Sequence, residues 1–421
     1  MTAIRLIHLA DLHLGYSGPN NLLVTEAEST QKAGRYLREV DIEHAVQNIT
    51  AEIVSAQPPV DIVLLAGDIF HKPSPSPRAI TCAARMVRKL TSNNIAVVII
   101  DGNHDTSSIL HTGSPTTFLS ALGAIVVNGS VSRILRDTCW QHITGPKSDK
   151  LEKLAIHALP YSALRGQPDF THVYPIEGYV NVLLTHGRVS NMAELNSLYK
   201  MAHTIPVDIL NRGWHYAALG DWHIHRYQPL HHVPAYYAGS LEPLTFGEAM
   251  NYPLDPKDAY AVHGAIDVRL SREQSAEIYT LANSQARPLL RLKNIDALDM
   301  NADALMMAIR ECLLAEFPAH ALVTLEILNI HPDVWLQLDH AEIATLRQRV
   351  RYCSIHPRLQ HISTTSSAAA VSEATLDHQW EYFLEQYEPD EEARTWYKEA
   401  GLRKIEEAQQ LLQSAYAQEG E

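Results

Sequence analysis

Cysteine is scarce in this chain. Four occur in 421 residues, Cys82, Cys139, Cys312 and Cys353, with no CxxC spacing. That argues against a zinc ribbon and a disulfide framework, and it suits a reducing cytoplasm, the expected location. Long hydrophobic runs are also missing. The N-terminus is apolar only from Ile4 to Ala10 before it meets Asp11, so neither a signal peptide nor a membrane span is expected. Positive charge is in deficit: 34 Lys and Arg stand against 48 Asp and Glu, a net charge of −14. Proteins that coat nucleic acid without sequence preference are usually basic. Binding over the whole surface is therefore disfavoured. A local basic groove is not, and bound cations would themselves bring positive charge to a phosphate. No internal repeat is present.

What the chain does have is an alternation of apolar strands and periodic helices. A length of 421 residues exceeds what one core usually supports, so two or three domains are expected. Residues 4–10 read as a buried strand, 31–57 as a helix, 61–66 as a strand, 78–90 as a helix and 95–100 as a strand. Continuous apolar strands in β-α-β order predict an α/β protein whose sheet is covered on both faces. A second series follows at 180–184, 216–219, 235–239 and 260–268. From Arg287 the pattern becomes strand, helix, strand, helix (289–292, 302–314, 321–328, 340–350), a smaller α+β unit. Residues 363–374 are small and polar and read as a linker, and the remainder is helical in pattern. The predicted division is 1–285, 286–362, the linker 363–374 and a helical tail 375–421.

Five segments carry metal-donor side chains near predicted strand ends: Asp11-Leu12-His13, Gly67-Asp68, Gly102-Asn103-His104-Asp105, Thr185-His186-Gly187 and Trp222-His223-Ile224-His225. Taken singly, Gly-Asp is a turn and a loop His is a surface His, as expected for His44, His142, His231 and His232. All five together predict a pair of divalent cations. Two such ions about 3.5–4 Å apart can clamp an in-line phosphoryl displacement. Asp68 suits a bridging carboxylate. Asp11 and His13 lie two apart and could face one ion, and His223 and His225 have the same spacing and could serve one ion each. Asn103 offers a carbonyl oxygen and His186 a ring nitrogen. A metal-bound hydroxide would attack phosphorus. His104 would protonate the leaving oxygen or stabilise the equatorial charge, with Asp105 fixing its tautomer. His71 could point back toward this site, while His8 is expected to pack in the core.

These segments, in this order, resemble the calcineurin-like metallophosphoesterase superfamily. Asp11-Leu12-His13-Leu14-Gly15, Gly67-Asp68-Ile69-Phe70-His71, Gly102-Asn103-His104-Asp105 and Tyr237-Ala238-Gly239-Ser240-Leu241-Glu242, with Phe246-Gly247-Glu248, look most like the SbcD-type nuclease subunits of double-strand-break repair complexes. The likeness covers roughly residues 1–290. It implies a two-sheet sandwich flanked by helices, a capping domain and a partner-binding tail. It implies Asp11, His13, Asp68 and His225 around one ion, and Asp68, Asn103, His186 and His223 around the other. It implies His104 as the catalytic histidine with His71 assisting, and manganese as the metal. Iron, zinc and magnesium stay open on the residues alone. The implied partners are DNA, an SbcC-type coiled-coil ATPase bound by the C-terminal helices, and a second copy of the chain, docked through 31–57 or 78–90. There is one departure. The family has Gly directly before the first His of His-x-His, and here Asp221 and Trp222 intervene after Gly220.

The resulting expectation is a two-metal DNA nuclease. A small-molecule phosphodiesterase or phosphatase on the same site, and a catalytically silent scaffold for an ATPase, are the alternatives. The residues beyond the catalytic part favour the nuclease, and the net acidity favours the small substrate.

Overall fold

The computed structural model describes residues 3–18, 21–106, 113–129, 132–134, 151–164, 170–189, 204–230, 233–253, 263–273 and 275–360, with 380, 384, 394–395 and 397–403 of the tail. Seven strands carry most of the argument: β1 (Ile4–Leu9), β2 (Ile62–Ala66), β3 (Ala96–Ile100), β4 (Ile125–Val127), β5 (Ser132–Ile134), β6 (Leu154–Leu159) and β7 (Val180–His186). β1 to β4 are parallel neighbours, extended on the β1 side by the antiparallel strands Gly264–Leu270 and Glu277–Ala282. A second six-stranded sheet runs Arg226–Leu230, Val233–Tyr237, Tyr216–Gly220, β7, β6, β5.

The continuous apolar runs are explained by alternation. Leu6, Leu64 and Val98 point to the second sheet and meet Ile156, Val182, Leu184 and Ala218. Ile7, Leu9, Val63, Leu65, Val97 and Ile99 point the other way, onto Ile42, Val46, Ile49, Met86 and Leu90. Those last five come from α1 (Leu37–Ser55) and α2 (Pro77–Ser92). Both faces of the first sheet are thus covered at β1, β2 and β3, which is why those strands carry no polar face. The molecule is a two-sheet sandwich with helices outside. Each fully buried aliphatic side chain contributes about 1.5–3 kcal/mol.

α2 starts where Ser76 Oγ accepts from Ala79 N (3.2 Å), with Pro77 in the first turn. α1 begins at Leu37, later than the periodicity from residue 31 suggested. Gly34 is left-handed (φ 78°), and Leu23 bridges Tyr36, so the preceding segment is a turn. The strands β6 and Tyr352–Leu359 were not anticipated from pattern. β6 is a short apolar stretch that periodicity cannot separate from helix, and Tyr352–Leu359 is mixed and partly exposed, with no apolar run to mark it.

A third sheet contains Leu289–Leu292, Leu322–Ile330, Ile295–Asp296 and Tyr352–Leu359, all in parallel pairs. Helix Ala302–Leu314 buries Leu305, Ile309 and Leu313 in the same cluster as Val323, Leu325 and Ile327. This sheet also takes Met250–Tyr252, from before the expected boundary at 285, against Leu289–Leu292. Residues 363–374 lie outside the described residues, as does most of 375–421. Where the tail is described, Trp380 Nε1 donates to the Tyr397 carbonyl (3.2 Å), and its ring leaves no room for a Cβ at Gly401. No helix among the described residues is long and apolar enough to cross a membrane.

Candidate metal centre

The site lies at the carboxyl ends of β1, β2 and β3 in one sheet and of β7 and Tyr216–Gly220 in the other. Ligands in open α/β sheets collect at such ends. The turns there are tight. Asp11 (φ 52°), His13 (φ 46°), Asp68 (φ 52°) and Asp221 (φ 97°) all hold left-handed backbone. Such conformations cost residues with a Cβ, and they cluster where function requires them. Gly102 is required sterically, since a Cβ there would collide with the Asp68 carboxylate and backbone nitrogen.

Three groups of donors converge, the atoms of each lying within 4.8 Å of one another: Asp11, His13 and His223; Asp11, Asp68 and His186; and His13, His71 and His104. Asp68 Oδ2 sits between two imidazoles, 3.5 Å from His13 Nε2 and 3.6 Å from His186 Nε2. Asp68 Oδ1 accepts from the His104 backbone N–H (2.9 Å). Asn103 Oδ1 is 2.9 Å from His186 Nε2.

Partner atoms assign the proton positions. His186 Nδ1 donates to the Ala66 carbonyl (2.8 Å), so its Nε2 carries a lone pair. That lone pair faces Asn103 Oδ1, another acceptor. His223 Nδ1 donates to Glu248 Oε1 (3.0 Å), and its Nε2 faces His13 Nε2 at 3.1 Å. Two acceptors that face each other, as Asn103 Oδ1 and His186 Nε2 do, repel unless a cation lies between them. The donor chemistry therefore fits divalent ions, each imidazole oriented by a carbonyl or carboxylate behind it.

The electrostatics agree. Burial, with smaller contributions from Asp68 and Asp221, raises Asp11 to about 7. Burial and then Asp105 push Asp68 well above the carboxylate range. Burial and the neighbouring His223 hold His13 well below an ordinary imidazole. Burial and then His104 lower His71 to about 4. His223 runs opposite: burial pulls it down, but the Glu248 hydrogen bond and Asp11 outweigh that and raise it to about 9. Burial thus pushes the Asp11 and Asp68 carboxyls and the His13 and His71 imidazoles toward neutrality, while Glu248 and Asp11 favour the charged form of His223.

The structure places two of the expected residues differently. His225 does not join the cluster expected of it: among the described residues it belongs to no donor group. Its ring is turned toward Tyr236 (centroids 6.1 Å apart) and the Ala238 backbone. His223 stands beside Asp11 and His13 in its place. The cause is the chain after Gly220, where Asp221 turns with φ 97° and its N–H donates to both Asp11 oxygens (3.0 and 3.2 Å). This offset moves His223 to the position expected of His225. Asp105 does not fix the His104 tautomer either. Its oxygens accept from the backbone N–H groups of Ile69, Phe70 and Gly102 (2.9–3.1 Å), tying two loops together. The His71 carbonyl holds His104, accepting from Nδ1 at 2.8 Å.

His71 does turn into the site, with Nδ1 3.4 Å from His13 Nδ1 and its ring stacked on His104 at 5.1 Å. His8 is fully buried in the core, bonded through Nδ1 to the Tyr216 hydroxyl (3.0 Å). Glu248, Arg188 and Asp221 were not singled out as site residues. Glu248 was visible only as the end of Phe-Gly-Glu, and the other two carry no spacing signal. A cleft of about 520 Å³ opens over the cluster, lined by Tyr161, Arg188, Asp221 and Trp222 as well as Asp68, Asn103 and His104.

A sandwich of two mixed sheets with Asp, Asn and His donors converging at their strand ends defines a metallophosphoesterase. The chain belongs to the calcineurin-like phosphoesterase family, whose model matches residues 4–264. Among curated proteins it is similar to the DNA double-strand break repair protein Mre11 of Aeropyrum pernix, 27% identical over 60% of this chain and 56% of that one. The Mre11 of Methanopyrus kandleri is 25% identical over 62% of this chain and 52% of its own. That of Methanococcus maripaludis is 32% identical over 28% of each. The matched part spans about half or less of these relatives.

Proposed function

We propose that this chain is a two-metal phosphodiesterase acting on DNA, the nuclease of a double-strand-break repair assembly. The observation that carries the reading is the convergence of the Asp11, His13, Asp68, His186 and His223 donor atoms beneath an open cleft, with Asn103 Oδ1 and His186 Nε2 meeting as two acceptors. The similar proteins are named for DNA double-strand break repair, and that supplies the substrate class. Asp11, His13, Asp68 and His223 would hold one ion, and Asp68, Asn103 and His186 the other. Bound divalent ions neutralise phosphodiester charge and make water nucleophilic at neutral pH. The protein does the rest. Asp68 is fixed by the His104 N–H, and Glu248 and the Ala66 carbonyl aim two imidazoles. His104, braced through Nδ1 by the His71 carbonyl, presents Nε2 for proton transfer to the leaving oxygen. Arg188 and Trp222, the guanidinium 5.5 Å over the ring, flank the substrate path.

Manganese is the proposed metal on the strength of the resemblance; three oxygen donors and three imidazoles also suit iron or zinc. The free thiols of Cys82, Cys312 and Cys353 suit a reducing cytoplasm. A coiled-coil ATPase of SbcC type is the proposed partner of the helical tail. Dimerisation would use the groove between α1 and α2, lined by Val46, Thr50, Cys82 and Met86.

The test is cleavage of linear duplex, single-stranded and hairpin DNA with Mn²⁺, beside bis-p-nitrophenyl phosphate. DNA degradation lost in Asp68→Ala is the expected result. Ester turnover with no DNA cleavage, even with the ATPase added, would favour a small-molecule substrate. Full DNA cleavage by Asp68→Ala would overturn the site.

A further inference from the structure

We infer that Asp221 is the fourth donor of the second cation subsite, a carboxylate standing where the resemblance leads one to expect an imidazole. The inference rests on the two-metal reading above and concerns which residue completes it.

The hub of that subsite is His186 Nε2. Around it stand Asn103 Oδ1 at 2.9 Å, Asp68 Oδ2 at 3.6 Å and Asp221 Oδ1 at 3.9 Å. No further histidine of the motif is on this side, since His223 faces Asp11 and His13, and His225 is turned toward Tyr236. Asp221 also lines the cleft, whereas His225 does not. The backbone supports the assignment independently. Gly220 passes so close to the Ala66 carbonyl and the His186 ring that a Cβ would collide with both. Asp221 then adopts φ 97°, held by its N–H on the Asp11 carboxylate. A left-handed turn on a residue with a Cβ is costly. Here the cost delivers a carboxylate beside His186 within one residue of the strand end.

The plain alternative is that Asp221 merely pairs with Arg188. That pair is real, Arg188 Nε donating to Oδ2 at 3.0 Å. It occupies the outer oxygen and leaves Oδ1 as the one directed at His186. Arg188 then acts as the clamp that fixes the carboxylate plane and offsets part of its charge. With Asp221 the subsite offers three oxygens and one nitrogen. Such a set is harder than one with two imidazoles, and it shifts preference toward Mn²⁺ and Mg²⁺ and away from Zn²⁺.

Mn²⁺ titration calorimetry on the full chain, with metal analysis after desalting, tests this without relying on turnover. The parent should bind two ions. Asp221→Asn, nearly isosteric, and Asp221→Ala should keep one tight ion. Losing a direct donor should weaken the other at least as much as losing a supporting group does, about 10–100-fold. Asp221→His should restore the second ion with a stronger preference for Zn²⁺, and His225→Ala should keep both. Melting of the metal-free variants shows whether each is folded, and the Asn variant stands in should the Ala variant not be. Two undiminished ions in both Asp221→Asn and Asp221→Ala, or loss of one in His225→Ala, would overturn the assignment while leaving the two-metal reading intact. A folded parent that binds no Mn²⁺ would overturn both.

Discussion

His104 and Glu248 show how single side chains divide the work at the site. His104 donates through Nδ1 to the His71 carbonyl, so only Nε2 faces the cleft. His104→Asn should therefore lower DNA cleavage by about 10²–10⁴-fold, the usual worth of general acid–base catalysis, while calorimetry still finds both ions. Equal loss of metal and activity would make it a ligand instead. Glu248 positions His223 through the 3.0 Å bond to Nδ1. Glu248→Ala should weaken Mn²⁺ binding by about 10–100-fold, read as a rise in Kd with the folded spectrum kept. His8 gives a pH prediction. Burial first, then His225, lowers it to about 3, and the Tyr216 hydroxyl is its partner. Its folded value lies below its unfolded one, so neutral His8 contributes stability that is present above about pH 6.5 and is lost as pH falls toward about 3. His8→Gln should lose less of its urea midpoint between pH 7.5 and pH 5 than the parent does.

Between elements, Asp105 is the tie that matters. One buried carboxylate accepts from Ile69, Phe70 and Gly102, joining the loops after β2 and β3 that carry Asp68, Asn103 and His104. Asp105→Ala would strand three backbone donors, at about 1–3 kcal/mol for each buried group left unsatisfied. A lowered melting temperature together with weakened Mn²⁺ binding is the expected result. An unchanged melt would mean the loops hold their form without it. At this scale much was readable beforehand. Apolar runs ending in Asp, Asn or His marked β1, β2, β3 and β7, because a strand buried on both faces must be continuously apolar. Edge strands such as Glu277–Ala282, mostly exposed, gave no such signal.

Across the whole molecule, a charged network joins the catalytic sandwich to the third sheet. Arg38 is fully buried and donates to Asp41 (2.6 Å), Glu242 (3.1 Å) and the Pro243 carbonyl (2.6 Å). Arg287, at the entry to the third sheet, reaches the same Asp41 through two bonds of 2.7 and 2.8 Å. Hydrogen bonds to charged groups contribute about 1.5–3 kcal/mol. Arg287→Ala should therefore uncouple the two parts and split a single calorimetric unfolding peak into two. A single peak at unchanged temperature would show that the apolar contacts of Val24, Leu37 and Leu289 suffice.

The sequence by itself determined the α/β class, the covered sheet and the place of the Asp, Asn and His segments at strand ends. Each of these follows from local pattern: periodicity, burial on two faces, and turn residues after apolar runs. Only the tertiary structure decided which donors meet. His223 and His225 are identical by spacing, and the choice between them depends on a turn at Asp221 fixed by the Asp11 carboxylate, 210 residues earlier. The same holds for Asp105 and Glu248, whose partners lie on other loops. A motif records residue types along the chain, whereas coordination is a property of distances among segments that the chain brings together only on folding.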